Sequence, residues 1–368
     1  MNELQNFLRT HDNWESILTQ PPYNLKVSRD DGYILFKYNQ IESDFSIPLV
    51  REARGIIFRD DGNFECVCRP FDKFGNYGES YVPDIDWDSA SVQTKIDGSL
   101  MKVWFDNGKW HFSTNGTIDA FKAELNDAKY HSFGDLFMSV WDWDGNEDRA
   151  FNRRYTYMFE LVSPHNKVVI PYTKTKLYFL GLRNSLTGEE FAPEDCFALT
   201  CYFDIPKRLS LTVPSLDAVR EIAEKLPWSE EGYVVCDGVF NRIKVKSPAY
   251  VAAHYLVTGH VNSPARLIDI ILKGEEEEFL TYGVEYKDEI ENLKDKMAKF
   301  MIEAMDFAKG YKEMPSVKDV ALTMKKDSIG KAYQSFIFEN YRKGTTFGEW
   351  VKDWDGEKWV KALGLKEE

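Results

Sequence analysis

The sequence predicts an α+β fold, with antiparallel sheets and helices over residues 1–260 followed by an all-α region over 261–368. Three observations carry this. Short apolar runs separated by turn dipeptides fill the chain from about residue 30 to 260. A helix-period apolar pattern takes over after His260. A length of 368 residues also exceeds what one hydrophobic core usually serves, since single cores stop growing at roughly 250 to 300 residues.

The strands follow from their punctuation. Ser99–Phe105, Asn107-Gly108 and Lys109–Ser113 form a two-residue hairpin signal, because Asn-Gly accepts the positive φ that such turns require. Tyr155–Val162, Leu177–Arg183 (before the turn Asn184–Gly188) and Gly232–Cys236 (before Asp237-Gly238) are further strands. An amphipathic helix is predicted over Leu216–Leu226, with Ser215 as its cap and Val219, Ile222, Ala223 and Leu226 on one face. Past a Gly, His, Asn, Ser and Pro stretch at Thr258–Pro264, residues Ile290, Leu293, Met297, Phe300, Met301 and Met305 recur at helical spacing.

Composition narrows the class. A chain that is 43% hydrophobic and 15% aromatic is globular rather than disordered. Its net charge of −14 argues against non-specific coating of nucleic acid, though not against a locally basic cleft. The five cysteines show no paired metal-ligand spacing, and Cys66-Val-Cys68 fits strand alternation; a reducing, cytosolic setting is expected. The first residues lack the order of a signal peptide and no apolar run reaches membrane-spanning length, so neither export nor a membrane partner is expected, and Asn115-Gly116-Thr117 matches a glycosylation pattern by accident.

The chemistry centres on Lys95-Ile96-Asp97-Gly98-Ser99, which presents a lysine beside a turn at a hairpin edge. A lysine that attacks phosphorus must shed its proton near neutral pH, which desolvation or neighbouring cations favour. Lys244 and Lys246 stand at period 2, on one face of a strand whose other face carries Ile243 and Val245. They could neutralise a triphosphate, or be the charged gatekeepers of a solvated edge strand. Glu231 opens the partner strand. Glu160 interrupts an apolar strand and needs a partner, which could be a ribose hydroxyl, a metal ion or a basic residue. Arg54 precedes a Gly and an apolar strand, and Lys73 sits among aromatics able to stack on a purine.

In their order, Arg54-Gly55, Lys73-Phe74, Lys95-Ile96-Asp97-Gly98-Ser99, Phe159-Glu160, Glu231-Gly232-Tyr233-Val234 and Lys244-Val245-Lys246 match covalent nucleotidyltransferases. The flanking text, notably Glu52–Phe58, Arg69–Phe74 and Pro164–Val169, resembles the bacteriophage T4 RNA ligase 1 family over roughly residues 30 to 260. That resemblance implies an adenylyltransferase domain in 1–260 and an RNA-specificity role for the helical 261–368. It implies that Lys95 attacks the α-phosphate of ATP and that Lys244 and Lys246 hold phosphates. Tyr38, Arg54, Lys73 and Glu160 would line the nucleotide site with Glu231. The adenylate would pass to an RNA 5′-phosphate, and a 3′-hydroxyl would displace AMP. Magnesium is implied, with Glu277 matched to a metal-associated carboxylate, although a solvated acidic helix start reads equally well there. RNA with 3′-OH and 5′-phosphate ends, nicked tRNA among the candidates, and an end-healing kinase-phosphatase are the partners suggested by analogy.

The pattern is not complete. Where the resembled family carries lysines after the first hairpin, this chain has Ser113-Thr114-Asn115-Gly116-Thr117, so two cations are missing. Competing readings are a DNA ligase or capping-type enzyme sharing Lys95, which would append a β-barrel where this chain reads helical, and an RNA-binding protein keeping the fold without catalysis. A phosphate-loop kinase is excluded by the lack of a Gly-x-x-x-x-Gly-Lys segment.

Overall fold

The computed structural model describes residues 2–141, 151–210, 213–257, 263–274, 276, 279–280, 286–327 and 330–365. The chain divides into two compact units, Met1–Val257 and Thr258–Glu368.

In the first unit, β1 (Lys26–Asp30), β2 (Tyr33–Lys37), β3 (Arg54–Arg59) and β4 (Cys66–Cys68) pair in that order as an antiparallel sheet. One of its faces, Ile34, Phe36, Ile56 and Phe58, packs with Leu4 and Leu8 of the helix Glu3–Thr10. That helix was not foreseen from the sequence. It is amphipathic and is capped by the Asn2 carboxamide oxygen, which accepts from the Gln5 amide at 2.6 Å. The other face, Tyr33, Leu35 and Ile57, packs on Trp104.

Eight further strands follow: β5 (Ser91–Thr94), β6 (Ser99–Asp106), β7 (Lys109–Thr114), β8 (Tyr155–Val162), β9 (Lys176–Asn184), β10 (Glu190–Phe191), β11 (Gly232–Cys236) and β12 (Arg242–Lys246). They sort into a five-stranded antiparallel sheet, β10-β9-β8-β6-β7, and a three-stranded one, β12-β11-β5. The hairpins thus lie within a residue of their sequence positions, because Asn107 and Gly108 both take the positive φ that the turn needs. The predicted helix at Leu216 ends earlier, at Ala223, with Ser215 accepting from the Ala218 amide as its cap. Pro227 disfavours helical backbone at the residue before it, so the last turn loosens into i→i−3 bonds.

The geometry that matters is the crossing between sheets. Residues Lys95–Gly98 carry the chain from β5, in the three-stranded sheet, to β6, in the five-stranded one. Both ends of the crossing are therefore fixed by strand pairing.

The second unit is helical in its described residues, with long helices Lys287–Tyr311 and Lys331–Lys343. The buried stripe of the first runs Ile290, Leu293, Phe300, Ala304, Ala308 and Tyr311. Met301 and Met305, expected in that stripe, are exposed. Each sits one position past a stripe residue, about 100° around the helix, and the small Ala304 and Ala308 face inward instead. No described helix is long and apolar enough to cross a membrane.

Candidate active site

Lys95 is held by its backbone and by its neighbours before its side chain is considered. Its amide donates to the Gly232 carbonyl at 2.8 Å. Two residues on, the buried Asp97 carboxylate accepts from the Val169 and Ile170 amides at 3.0 and 2.7 Å and from the Tyr250 hydroxyl at 2.8 Å. Gly232 has φ +134°, and a Cβ there would lie 2.2 Å from the Val245 carbonyl oxygen, so the close pairing of β11 with β12 beneath Lys95 requires glycine.

The Lys95 ammonium then meets Glu231 Oε1 at 2.7 Å, and the same oxygen lies 3.9 Å from the Lys246 ammonium. Glu231 is 4% exposed against 21% for the Lys95 side chain, so the carboxylate lies below the lysine that faces solvent. Its second oxygen, Oε2, is buried without a hydrogen-bond partner. A buried, half-satisfied carboxylate is costly and marks a place where a further group is accommodated.

Strand β12 shows the alternation read from its sequence: Ile243 and Val245 are buried while Arg242, Lys244 and Lys246 are partly open. Lys244 and Arg54 both lie against the Phe74 ring, at 5.6 and 5.3 Å. Lys95, Arg54, Glu160, Lys244 and Lys246 line one cleft of about 840 Å³, within the range of small-molecule sites. Burial pushes the Glu160 carboxyl up to about 7; Lys95 and Arg54 pull it down, and Glu231 and Asp97 push it further up.

The other expected residues lie elsewhere. Lys73 is buried, its ammonium 4.2 Å from the Phe45 ring centre, 5.1 Å from Tyr38 and 5.7 Å from Tyr81. Phe45, Tyr38 and Tyr81 thus enclose the lysine, while its sequence neighbours Phe71 and Phe74 line the cleft; Tyr38, Lys73 and Glu231 stand outside that lining. Glu277 lies outside the described residues, among which no group of three or more His, Cys, Asp or Glu is arranged around a metal position. Ser113 is fully buried and accepts from the Trp104 indole at 3.1 Å, while Asn115 lies in a turn on the cleft wall. Sequence reading missed Lys37 and Arg242, which also line the cleft, and the buried Lys102; only their spacing along β2, β12 and β6 carried any signal of it.

Antiparallel sheets joined through a lysine-bearing crossing, with a helical region following, make this an α+β fold. The chain belongs to the T4 RNA ligase 1 family: the model described as RNA ligase matches residues 52–250, more than half of its length. A protein of Autographa californica nuclear polyhedrosis virus, whose name pairs polynucleotide kinase with RNA ligase, is 30% identical over 276 residues, 70% of this chain and 38% of the viral protein. The chain therefore spans well under half of that relative. The RNA ligase of Rhodothermus phage RM378 is 24% identical over 314 residues, 69% of this chain and 70% of its own. Among solved structures, an archaeal ATP-dependent RNA ligase aligns over 77% of this chain and 76% of its own at 14% identity, with a TM-score of 0.46.

Proposed function

We propose that the chain is an ATP-dependent RNA ligase that works through a lysyl-adenylate at Lys95. The observation that carries the reading is the contact of Lys95 with the buried Glu231, Lys95 itself lining a cleft whose wall also bears Arg54, Lys244 and Lys246. Lys95 Nζ bonds to the α-phosphorus of ATP as the bond to the β-phosphate oxygen breaks, pyrophosphate leaves, and the lysine gives up its proton, Glu231 being the carboxylate in contact. Lys244 and Lys246 offset the charge on the departing phosphates. An RNA 5′-phosphate oxygen then takes the adenylyl group from Lys95, and a 3′-hydroxyl attacks the activated 5′-phosphorus and releases AMP. Magnesium arrives with nucleotide phosphates in such sites and needs only one or two carboxylates; Glu231, with its unpartnered oxygen, and Glu160 would hold it, and it would offset charge on the phosphate oxygens.

Tyr38 and Lys73 act from behind the cleft wall, through Arg54 and Phe74. The unit from Thr258 onward sets the preference among RNA ends, nicked tRNA included, and an RNA kinase-phosphatase prepares those ends; the kinase named in the viral relative supports such a partnership. The cytoplasm of a host cell is the setting.

The test is transfer of labelled AMP from ATP to the denatured protein, then sealing of single-stranded, splinted and anticodon-nicked RNA with DNA as control. Covalent label that disappears in Lys95→Ala, with RNA sealed in preference to DNA, is the expected result. Equal labelling of Lys95→Ala overturns the assignment.

A further inference from the structure

Three cations converge behind the turn at Asn115–Thr117. Lys37, at the end of β2, is directly paired with Arg54 on β3, and both line the cleft. Lys102, on β6, is fully buried, and its ammonium donates to the Gly55 carbonyl. Gly55 itself has φ +79°; a Cβ there would lie 2.5 Å from the Asn115 carbonyl oxygen and 2.8 Å from the Lys102 ammonium. A Cβ on Gly116 would lie 3.4 Å from the Lys37 ammonium, so Lys37 reaches over the same turn from the other side.

Three like charges at one place are costly, and directly opposed like charges across a strand pair destabilise it. No carboxylate lies within ion-pair distance of Lys37, Arg54 or Lys102 among the described residues, and Arg54 Nη1 is buried without a partner. Burial pushes the neighbouring Cys68 thiol up, away from its charged form. Burial and the nearby Lys26 lower the Lys37 ammonium, and burial pushes Lys102 down to about 8, with Cys68 opposing and Arg54 and Lys37 adding to the fall. The protein therefore carries a cluster of positive charge, faced across the cleft by Glu160 near Arg54, that opens onto the cleft through Lys37 and Arg54. A phosphoryl group is the ligand that relieves it.

Lys102 lies opposite Ser113 in the β6–β7 register. The positive charge absent from Ser113 thus enters the same buried space from the facing strand.

We propose that Lys37 is a phosphate-binding residue of this cleft and that Lys102 is the positioning residue that fixes Gly55, and with it Arg54, beneath the bound phosphate. The proposal rests on the ligase reading above. The phosphate is one of the nucleotide or the RNA 5′-phosphate, and two assays separate these sources.

In the first, the rate of covalent AMP labelling is followed against ATP concentration. In the second, RNA already carrying a 5′-adenylate is sealed without ATP. Lys37→Ala is expected to raise half-saturating ATP about tenfold, or half-saturating adenylated RNA by a similar factor, the size of one lost charge-assisted contact. Lys37→Arg should restore the lost binding. The thermal midpoint of Lys37→Ala should equal or exceed that of the wild type, because the residues paired with it on both neighbouring strands, Lys26 and Arg54, are cations.

For Lys102, whose removal alone can unfold the site, the paired variant Lys102→Ser with Ser113→Lys keeps charge and volume. It is expected to recover most of the labelling that Lys102→Ser loses. If wild-type protein labels but Lys37→Ala matches it in both assays, the proposal falls while the ligase reading stands. A wild type that takes no label overturns both. If the paired variant folds yet stays as slow as Lys102→Ser, the positioning role falls.

Discussion

Glu231 Oε1 contacts the Lys95 ammonium at 2.7 Å while its other oxygen is buried and unpaired. The pair is asymmetric: the lysine can leave toward the cleft, and the carboxylate cannot follow. Glu231→Gln keeps the shape and removes the charge. It should slow AMP labelling by about 10²-fold, the scale of losing one aligned charged group at a reacting centre. Quench-flow labelling at saturating ATP reads this directly.

Lys246 shares that same oxygen at 3.9 Å and faces the cleft from β12. Lys246→Ala is expected to slow labelling by about 10² to 10³-fold, with little change in thermal midpoint because the side chain is partly open. Differential scanning fluorimetry beside the labelling assay separates the two effects. A large fall in midpoint would mean that Lys246 holds the fold instead.

The Asp97 anchor predicts a split between stability and binding. Tyr250→Phe removes the donor to Asp97 Oδ1 and should cost about 1–3 kcal/mol, the penalty for leaving a buried charged acceptor short of a partner. The maximal labelling rate should fall while half-saturating ATP stays within about twofold, because Tyr250 positions the nucleophile's loop and does not line the cleft. Urea unfolding and ATP titration are the two measurements.

Glu160 gives a pH signature. Its carboxyl sits near 7 in the fold against an ordinary 4.5. Between those values the folded state binds more protons than the unfolded one, so stability is greatest below about 4.5 and is lost as pH rises through about 7. Relative to Glu160→Gln, the wild type should lose on the order of 1–3 kcal/mol between pH 4.5 and pH 8. Denaturant titrations across that range decide it, and parallel curves for the two proteins would be contrary.

Gly232→Ala tests the close pairing under the nucleophile. The added Cβ meets the Val245 carbonyl at 2.2 Å with φ at +134°, which should cost about 3 kcal/mol or more and dislodge the carbonyl that holds the Lys95 amide. Hydrogen exchange at the Lys95 amide should accelerate accordingly.

Much of this architecture was legible because its signals are local. Asn107-Gly108 fixes a hairpin, Ser215 caps a helix, and Lys244 and Lys246 fall on one face whatever lies opposite. The residues that sequence reading missed act across distance. Lys102 is one charged residue in an apolar strand, and only the pairing of β6 with β7 and the approach of Gly55 give it a place. The Lys73 segment divides: its legible aromatics, Phe71 and Phe74, line the cleft, whereas the rings that close on the lysine, Tyr38, Phe45 and Tyr81, come from other segments and gave no local signal. Met301 looked like a core residue because neighbours at helical spacing were apolar, yet Ala304 and Ala308 take the inward stripe.

The bond between Tyr250 and Asp97 spans 153 positions of sequence. A chain emerging from the ribosome can pair β6 with β7 early, but β5 waits for β11 and the loop carrying Lys95 stays untied until synthesis has passed residue 250 and the closing of that long loop has offset its entropy. Nucleotide reactivity therefore arrives as one of the last events of folding. A truncated translation product that lacks Tyr250 would be a poor competitor for ATP or for broken RNA, because it has the nucleophile without the brace that aims it.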